Sequence, residues 1–188
     1  MKLSRTALQK RARQIDLLIL DVDGVLTDGG IYYGNEGELQ KRFDVKDGHG
    51  LVLARLTGLR TAILTARRSK IVELRCGELG CAPISQGNRD KRAGLFALLE
   101  TAGVTADRAG YIGDDLNDLA PMSEVAFSAC PADARPEVIA ASHYVARAPG
   151  GRGAVREIVE ILLKAQGRWD AAMQIMLNGM PRKPAGVP

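Results

Sequence analysis

Four apolar residues, Leu17 to Leu20, run straight into Asp21-Val22-Asp23-Gly24, and that junction limits the folds open to the chain more than any other stretch. A short apolar run bounded by a turn signal reads as a strand buried on both faces, the habit of parallel sheets covered by helices. Ligands of such sheets bind beyond the carboxyl ends of the strands. Asp21 leaves the strand on a rigid base, Asp23 follows it, and Gly24 permits a turn that brings backbone N–H groups toward an anion. Asp21 is therefore a candidate nucleophile and Asp23 a candidate proton carrier. Helix capping and calcium ligation are the rival readings of Asp-x-Asp. The calcium version fits poorly: an EF-hand loop wants a ligand fifth, a glycine sixth and a helix before it. Here Val25 is fifth, Gly24 fourth, and a strand precedes.

The rest of the chain alternates. Residues 29–43 read as a hairpin, with IYY and LQKRF separated by the turn-rich GNEGE. Helices are expected over about 48–56, 69–79, 90–101, 116–122 and 153–166, and strands near 60–64, 82–85, 110–113, 124–128 and 143–145. Strands separated by helical crossovers predict an α/β fold, a doubly wound, Rossmann-like parallel sheet. The expected organisation is a basic leader over 1–14, a single domain over 15–166, and a C-terminal tail over 167–188. That tail holds one short helix near 169–177 and a Pro/Gly-rich, mobile end.

Composition narrows the partners. Lys+Arg minus Asp+Glu is 26 − 22, or +4, and aromatics are only 4% of the chain. This balance suits a small anionic substrate and argues against base-stacking on nucleic acid. No apolar stretch of signal-peptide or membrane-span length follows the leader's cations, so a cytoplasmic protein with no membrane partner is expected. Cys76, Cys81 and Cys130 make an odd count without CxxC spacing, which predicts reduced thiols and neither a disulfide framework nor a zinc site. His49, in the glycine-rich DGHG, is a candidate ligand contact; His143 is expected to pack beside a strand.

Three further strand or helix ends carry polar groups. AILTAR places Thr65 after an apolar strand, QGNRDK places Lys91 at a helix start, and YIGDDLND places Asp114 and Asp115 after another strand. In sequence order these four segments, DVDGVLTD, LTAR, the lysine of RDK and GDDLND, match the four motifs of the haloacid dehalogenase superfamily, and the chain is identified as resembling it. More narrowly, DVDGVLTDG followed by a hairpin, DVKDGHG and GGRGAVRE resemble the branch whose phosphatases act on 3-deoxy-D-manno-octulosonate 8-phosphate, over about residues 15–170.

The resemblance implies that Asp21 forms an aspartyl-phosphate and that Asp23 protonates the leaving oxygen and later deprotonates water. Thr65 and Lys91 would hold the phosphoryl oxygens. Two like charges at ~4 Å repel by ~4 kcal/mol at an effective dielectric of ~20, so several carboxylates around a phosphate need more than Lys91. A magnesium ion held by Asp21, the backbone carbonyl of Asp23 and Asp114 is implied; manganese or cobalt accept the same oxygen ligands. Asp115 and Asp118 are candidates for supporting that shell, Asn117 or Asp118 for orienting waters or Lys91, with helix capping as the alternative for each.

For the sugar, Arg67 and Arg75 are candidates because a guanidinium pairs with the carboxylate of a sugar acid. A solvated face is the rival reading for both arginines. Lys46, Asp47 and Gly48 in DVKDG are candidates for the sugar's hydroxyls or carboxylate, with capping the simpler alternative for Asp47. The chain departs from the family at Ala66, where glycine is usual. A nonulosonate 9-phosphate is the alternative substrate, and a non-catalytic phosphosugar-binding module the alternative class. No cap domain fits between Asp28 and Asp44, only the hairpin; by resemblance, four chains form a ring in which each hairpin shields a neighbour's site.

Overall fold

The computed structural model describes residues 4–179. Its centre is a six-stranded sheet in the order β5-β4-β1-β6-β7-β8, parallel throughout. The strands are β1 (Leu17–Leu20), β4 (Arg60–Thr65), β5 (Ile84–Gln86), β6 (Ala109–Ile112), β7 (Phe127–Cys130) and β8 (Tyr144–Val145). A separate antiparallel hairpin, β2 (Tyr32–Gly34) and β3 (Gly37–Gln40), stands between β1 and β4 in sequence.

The first strand shows why both faces need helices. Alternate side chains of β1 point to opposite faces. Leu18 and Leu20 join one buried cluster, Leu17 and Ile19 the other, and all four are fully buried. Each such burial contributes roughly 1.5–3 kcal/mol. Helices α2 (Val45–Leu56), α3 (Lys70–Leu79) and α7 (Ala154–Ala165) cover the first face; α4 (Lys91–Ala102), α5 (Leu119–Glu124) and α6 (Pro136–Ala141) cover the second. Strand order reverses at β1, flanked by β4 and β6, so the loops leaving these three strands meet at a topological switch point.

The fold class and the hairpin match the expectation, with local differences. Helix α2 begins at Val45 rather than near 48, because Asp44 is its N-cap and accepts from Lys46 N at 2.7 Å. β5 starts at Ile84, beyond Pro83, which has no N–H to give a ladder. Helix α6 had no counterpart in the sequence reading. The basic leader is part of the body: α1 (Arg5–Arg13) packs on α7, buries Ala12, and is tied by Arg13 Nε to Ala165 O at 3.2 Å and by Gln166 Nε2 to Ala12 O at 3.0 Å. The tail continues as α8 (Trp169–Leu177), with Ala172 buried. The Pro/Gly-rich end expected to be mobile lies, from residue 180 onward, outside the described residues.

Candidate active site

Asp21 follows β1, Thr65 ends β4, Asp114 follows β6, and Lys91 opens α4. Asp90 caps α4 by accepting from Ala93 N at 3.0 Å, which fixes the helix start that carries Lys91. Lys91, only 2% exposed, reaches Asp21 Oδ2 and Asp118 Oδ1 with Nζ, each at 2.6 Å. Asp118 is wholly buried and fully engaged. Its Oδ1 also accepts from Tyr111 OH at 2.7 Å, and its Oδ2 accepts from the backbone N–H groups of Asp114 and Asp115 at 3.1 and 3.3 Å. Asp118 thus performs both jobs weighed for it, capping the turn and orienting Lys91.

The charges do not balance within this cluster. Asp21 Oδ1 and Asp114 Oδ1 are buried and hydrogen-bond to nothing in the protein. Burial, with Asp118 close by, lifts the Asp21 carboxyl to about 6; burial, with Asp21 and Asp118, lifts Asp114 to about 8. Each of Asp21, Asp114 and Asp118 offers an oxygen within 4.8 Å of the others'. Two unpartnered hard oxygens on neighbouring carboxylates fit a divalent cation with oxygen preference. Asp118 belongs to the cluster geometrically, but its oxygens are already taken, which leaves Asp21 and Asp114 as the side chains able to hold the ion.

Glycines let backbone approach these acids. A Cβ on Gly24 would lie 2.0 Å from Asp114 Oδ2, and its φ of +90° already disfavours any side chain. Gly150 presses as closely on the Gly24 carbonyl, where a Cβ would come within 1.8 Å of the oxygen. The GGRG segment thereby props the loop that carries Asp21 and Asp23.

A cavity of 160 Å³ at this edge is lined by Asp21, Asp23, Thr65, Ala66, Arg67, Asp114, Asp115 and Asn117. A larger, mostly apolar cavity of 260 Å³ lies between α1 and α7 and contains no carboxylate. Several predicted residues are not on the site wall of this chain. Both carboxylate oxygens of Asp47 cap α7, accepting from Gly153 N at 3.0 Å and Arg156 N at 2.8 Å, which corrects its reading as a sugar contact. Arg75 lies over Gly48, where a Cβ would come within 2.6 Å of Nη2, and pairs with Glu78 at 3.3 Å. Lys46 is exposed on the first turn of α2, and His49 lies in the same helix. Asp115, by contrast, does line the cavity; it is exposed and caps its own turn through Leu116 N at 2.7 Å. His143 accepts from Ser128 N at 2.9 Å, beside β7 as expected.

Comparison with known proteins places this arrangement. Residues 61–158 match the haloacid dehalogenase-like hydrolase family. The 3-deoxy-D-manno-octulosonate 8-phosphate phosphatase of Escherichia coli K12 is 47% identical over 162 residues, 86% of each chain. The chain belongs to the haloacid dehalogenase superfamily, in its octulosonate 8-phosphate phosphatase family. The Moraxella catarrhalis phosphatase of that name, solved with magnesium, phosphate and the sugar acid, superposes with a TM-score of 0.88 at 39% identity, covering 92% of this chain and 99% of its own. The cobalt-bound Haemophilus influenzae phosphatase gives 0.81 at 39% identity, covering 84% and 92%.

In this member of the superfamily the hairpin reaches the site of its own chain, through residues that sequence reasoning missed. Lys41, just after β3, places Nζ 2.5 Å from Asp23 Oδ1 and 3.1 Å from Glu38 Oε1, with no exposed side-chain area. Glu38 accepts from Ser69 Oγ, and Arg67 donates to Tyr33 OH at 2.6 Å while its Nε lies 3.6 Å from Asp23 Oδ2. The signal available beforehand was a lysine and a glutamate three apart on a hairpin beside a catalytic loop. Sequence spacing does not say how far a hairpin leans.

Proposed function

We propose that the chain is a magnesium-dependent phosphatase that hydrolyses 3-deoxy-D-manno-octulosonate 8-phosphate to the free sugar acid and phosphate, within lipopolysaccharide precursor synthesis. The observation that carries the chemistry is Asp21, almost buried, with one carboxylate oxygen held by Lys91 and the other unpartnered. An Asp21 oxygen attacks phosphorus, the bond to the sugar oxygen breaks, and the Asp23 proton passes to that oxygen as the sugar leaves. Water then attacks the aspartyl-phosphate, Asp23 takes its proton, and release of phosphate restores Asp21. Lys91 and the Thr65 hydroxyl hold phosphoryl oxygens through both steps. Asp21, Asp114 and the carbonyl of Asp23 would hold magnesium, which would supply positive charge against the developing phosphoryl charge.

The substrate assignment draws on the relatives' activity and on Arg67, which lines the cavity and suits a carboxylate. Asn117 lines it too and is assigned to the sugar; Asp115 and Asp118 support the metal-bearing turn. Lys46, Gly48 and Arg75 would meet substrate only across an assembly. Ile31, Tyr32, Tyr33, Leu39 and Val45 are exposed around the hairpin, which supports a homotetramer whose hairpins cover neighbouring sites; light scattering that gives a 20.2 kDa particle refutes that assembly. A cytoplasmic location agrees with three free, buried cysteines, and no helix among the described residues is long and apolar enough to cross a membrane.

The test is phosphate release from a panel of phosphorylated sugars, with magnesium and with chelator. Metal-dependent preference for the octulosonate is expected. Equal turnover of a nonulosonate 9-phosphate withdraws the substrate assignment, and silence on every substrate withdraws the enzyme.

A further inference from the structure

Cys76 and Cys81 are brought together by the way α3 ends. Gly80 takes φ +79°, its N–H donates to Gly77 O at 3.0 Å, and Cys81 N donates to Cys76 O at 2.9 Å. These paired bonds make a Schellman ending, in which the side chains at the two outer positions, here both cysteines, meet. The Cys76 thiol donates a hydrogen bond to Cys81 Sγ, and Thr61 Oγ1 donates to the same sulfur at 3.5 Å. Two donors on one sulfur favour its anionic form. The bond from Cys76, with Thr61 and the cations of Arg55 and Arg75, holds the Cys81 thiol below its usual range against the effect of burial. The same bond, with burial, pushes Cys76 up.

A thiol sealed in an apolar core is inert; a reactive one sits in a positive, accessible setting. Cys81 has the second setting on one side. Its chain neighbours Gly80 and Ala82, and its donor Thr61, line a cavity of 220 Å³ together with Arg55 and Arg60. The cavity lies at the amino end of β4, the opposite edge of the sheet from Asp21 and Asp114, so the phosphatase chemistry makes no use of it. Cys130 supplies the contrast: it is buried in the other apolar cluster, has no thiol beside it, and is pushed up by burial.

We propose that Cys76 and Cys81 are a modification site, a dithiol that a small peroxide entering this cavity oxidises reversibly to a disulfide. Cys81 is the attacking sulfur and Cys76 the resolving one. The Cys81 thiolate attacks a peroxide oxygen: the S–O bond forms, the O–O bond breaks, and the departing hydroxide takes up the proton that Cys81 shed on ionising. Cys76 sulfur then attacks Cys81 sulfur. The S–S bond forms, the S–O bond breaks, and the hydroxyl leaves as water with the Cys76 proton. Two thiols and one hydrogen peroxide become one disulfide and two waters. The backbone approach that a disulfide requires is supplied by the Cys81 N to Cys76 O bond, which is already in place.

The experiment treats the reduced, full-length protein with dilute hydrogen peroxide and follows intact mass and alkylated tryptic peptides. Both cysteines fall in the peptide 76–89. The wild type is expected to lose ~2 Da, the two thiol hydrogens, and this peptide to resist alkylation until dithiothreitol is added. The pair should react at least about tenfold faster than Cys130. C76S should stop at a sulfenic acid on Cys81 that dimedone captures, and C81S should leave Cys76 as slow as Cys130. Oxidation of Cys130 at the rate of the pair overturns the proposal. So do disulfides between chains, a gain of ~32 Da as sulfinic acid without a cross-link, or no reaction of the pair. The wild-type peptide map decides by itself, so a variant that fails to fold leaves the test intact.

Discussion

Asp114 is the side chain whose replacement discriminates best between a metal site and an ordinary acidic turn. Burial and the charges of Asp21 and Asp118 lift its carboxyl from 3.8 to about 8, so the metal-free folded protein binds a proton there that the unfolded chain has released. Stability therefore falls as pH rises from the unfolded value of 3.8 through about 8. At pH 7.5 the span is 7.5 − 3.8, about 3.7 units, an upper bound of about 5 kcal/mol at ~1.4 kcal/mol per unit. Because Asp21 titrates together with Asp114, about half of that bound, roughly 2–3 kcal/mol, is assigned to Asp114. Asp114→Asn removes the titration and breaks no protein hydrogen bond of Oδ1, which has none. In chelator at pH 7.5 the variant is expected to melt at least ~5 °C above wild type, taking ~2–4 °C per kcal/mol for a chain of this size. At pH 5 the gap should shrink, because only about 1.2 units then separate folded and unfolded protonation. Magnesium should raise the melting temperature of wild type and leave the variant nearly still, while the variant loses phosphate release. Scanning fluorimetry at the two pH values, with chelator and with magnesium, reads all of this. A variant less stable than wild type at pH 7.5 in chelator, or a gap equal at both pH values, refutes the electrostatic account.

Asp21→Asn should abolish phosphate release while calorimetry still detects substrate binding; turnover that persists removes Asp21 as nucleophile. Gly24→Ala, which puts a Cβ 2.0 Å from Asp114 Oδ2 in a chain segment at φ +90°, should lower kcat on the order of 10²-fold by displacing the acid, and wild-type kcat would show that the turn has room. Asp47→Ala strands the N–H groups of Gly153 and Arg156 at the start of α7 and should cost about 1–2 kcal/mol in urea unfolding; unchanged stability would remove its capping role.

Much of this was legible because it depends on short-range pattern. The run LLIL ending in DVDG locates the central strand and its loop, since a chain buried on both faces has no room for polar residues until it exits the sheet. Thr65, Lys91 and Asp114 are singled out by the same rule, and the structure places each near the end of a strand or at the start of a helix. What failed depends on tertiary approach. Asp47 sits in a helix-opening segment that reads equally as a cap or a ligand, and only the arrival of α7 from more than a hundred residues away decides between them. Lys41 and Glu38 lie on a hairpin whose internal pairing is local but whose lean toward Asp23 is not. Helix α6 is six residues long, too short for an apolar period to stand out.

Charge counting ties the two halves of the site together. Once a metal displaces the Asp114 proton, Asp21, Asp114 and Asp118 carry three negative charges against one from Lys91, a net of two that a divalent cation cancels. The phosphoryl half is then neutral before substrate arrives, and a phosphate monoester brings its own negative charge into it. On the sugar side, Lys41 and Arg67 lie against Asp23 and Glu38. The phosphoryl side meets the incoming charge with Lys91 and the metal, concentrated where the bond breaks.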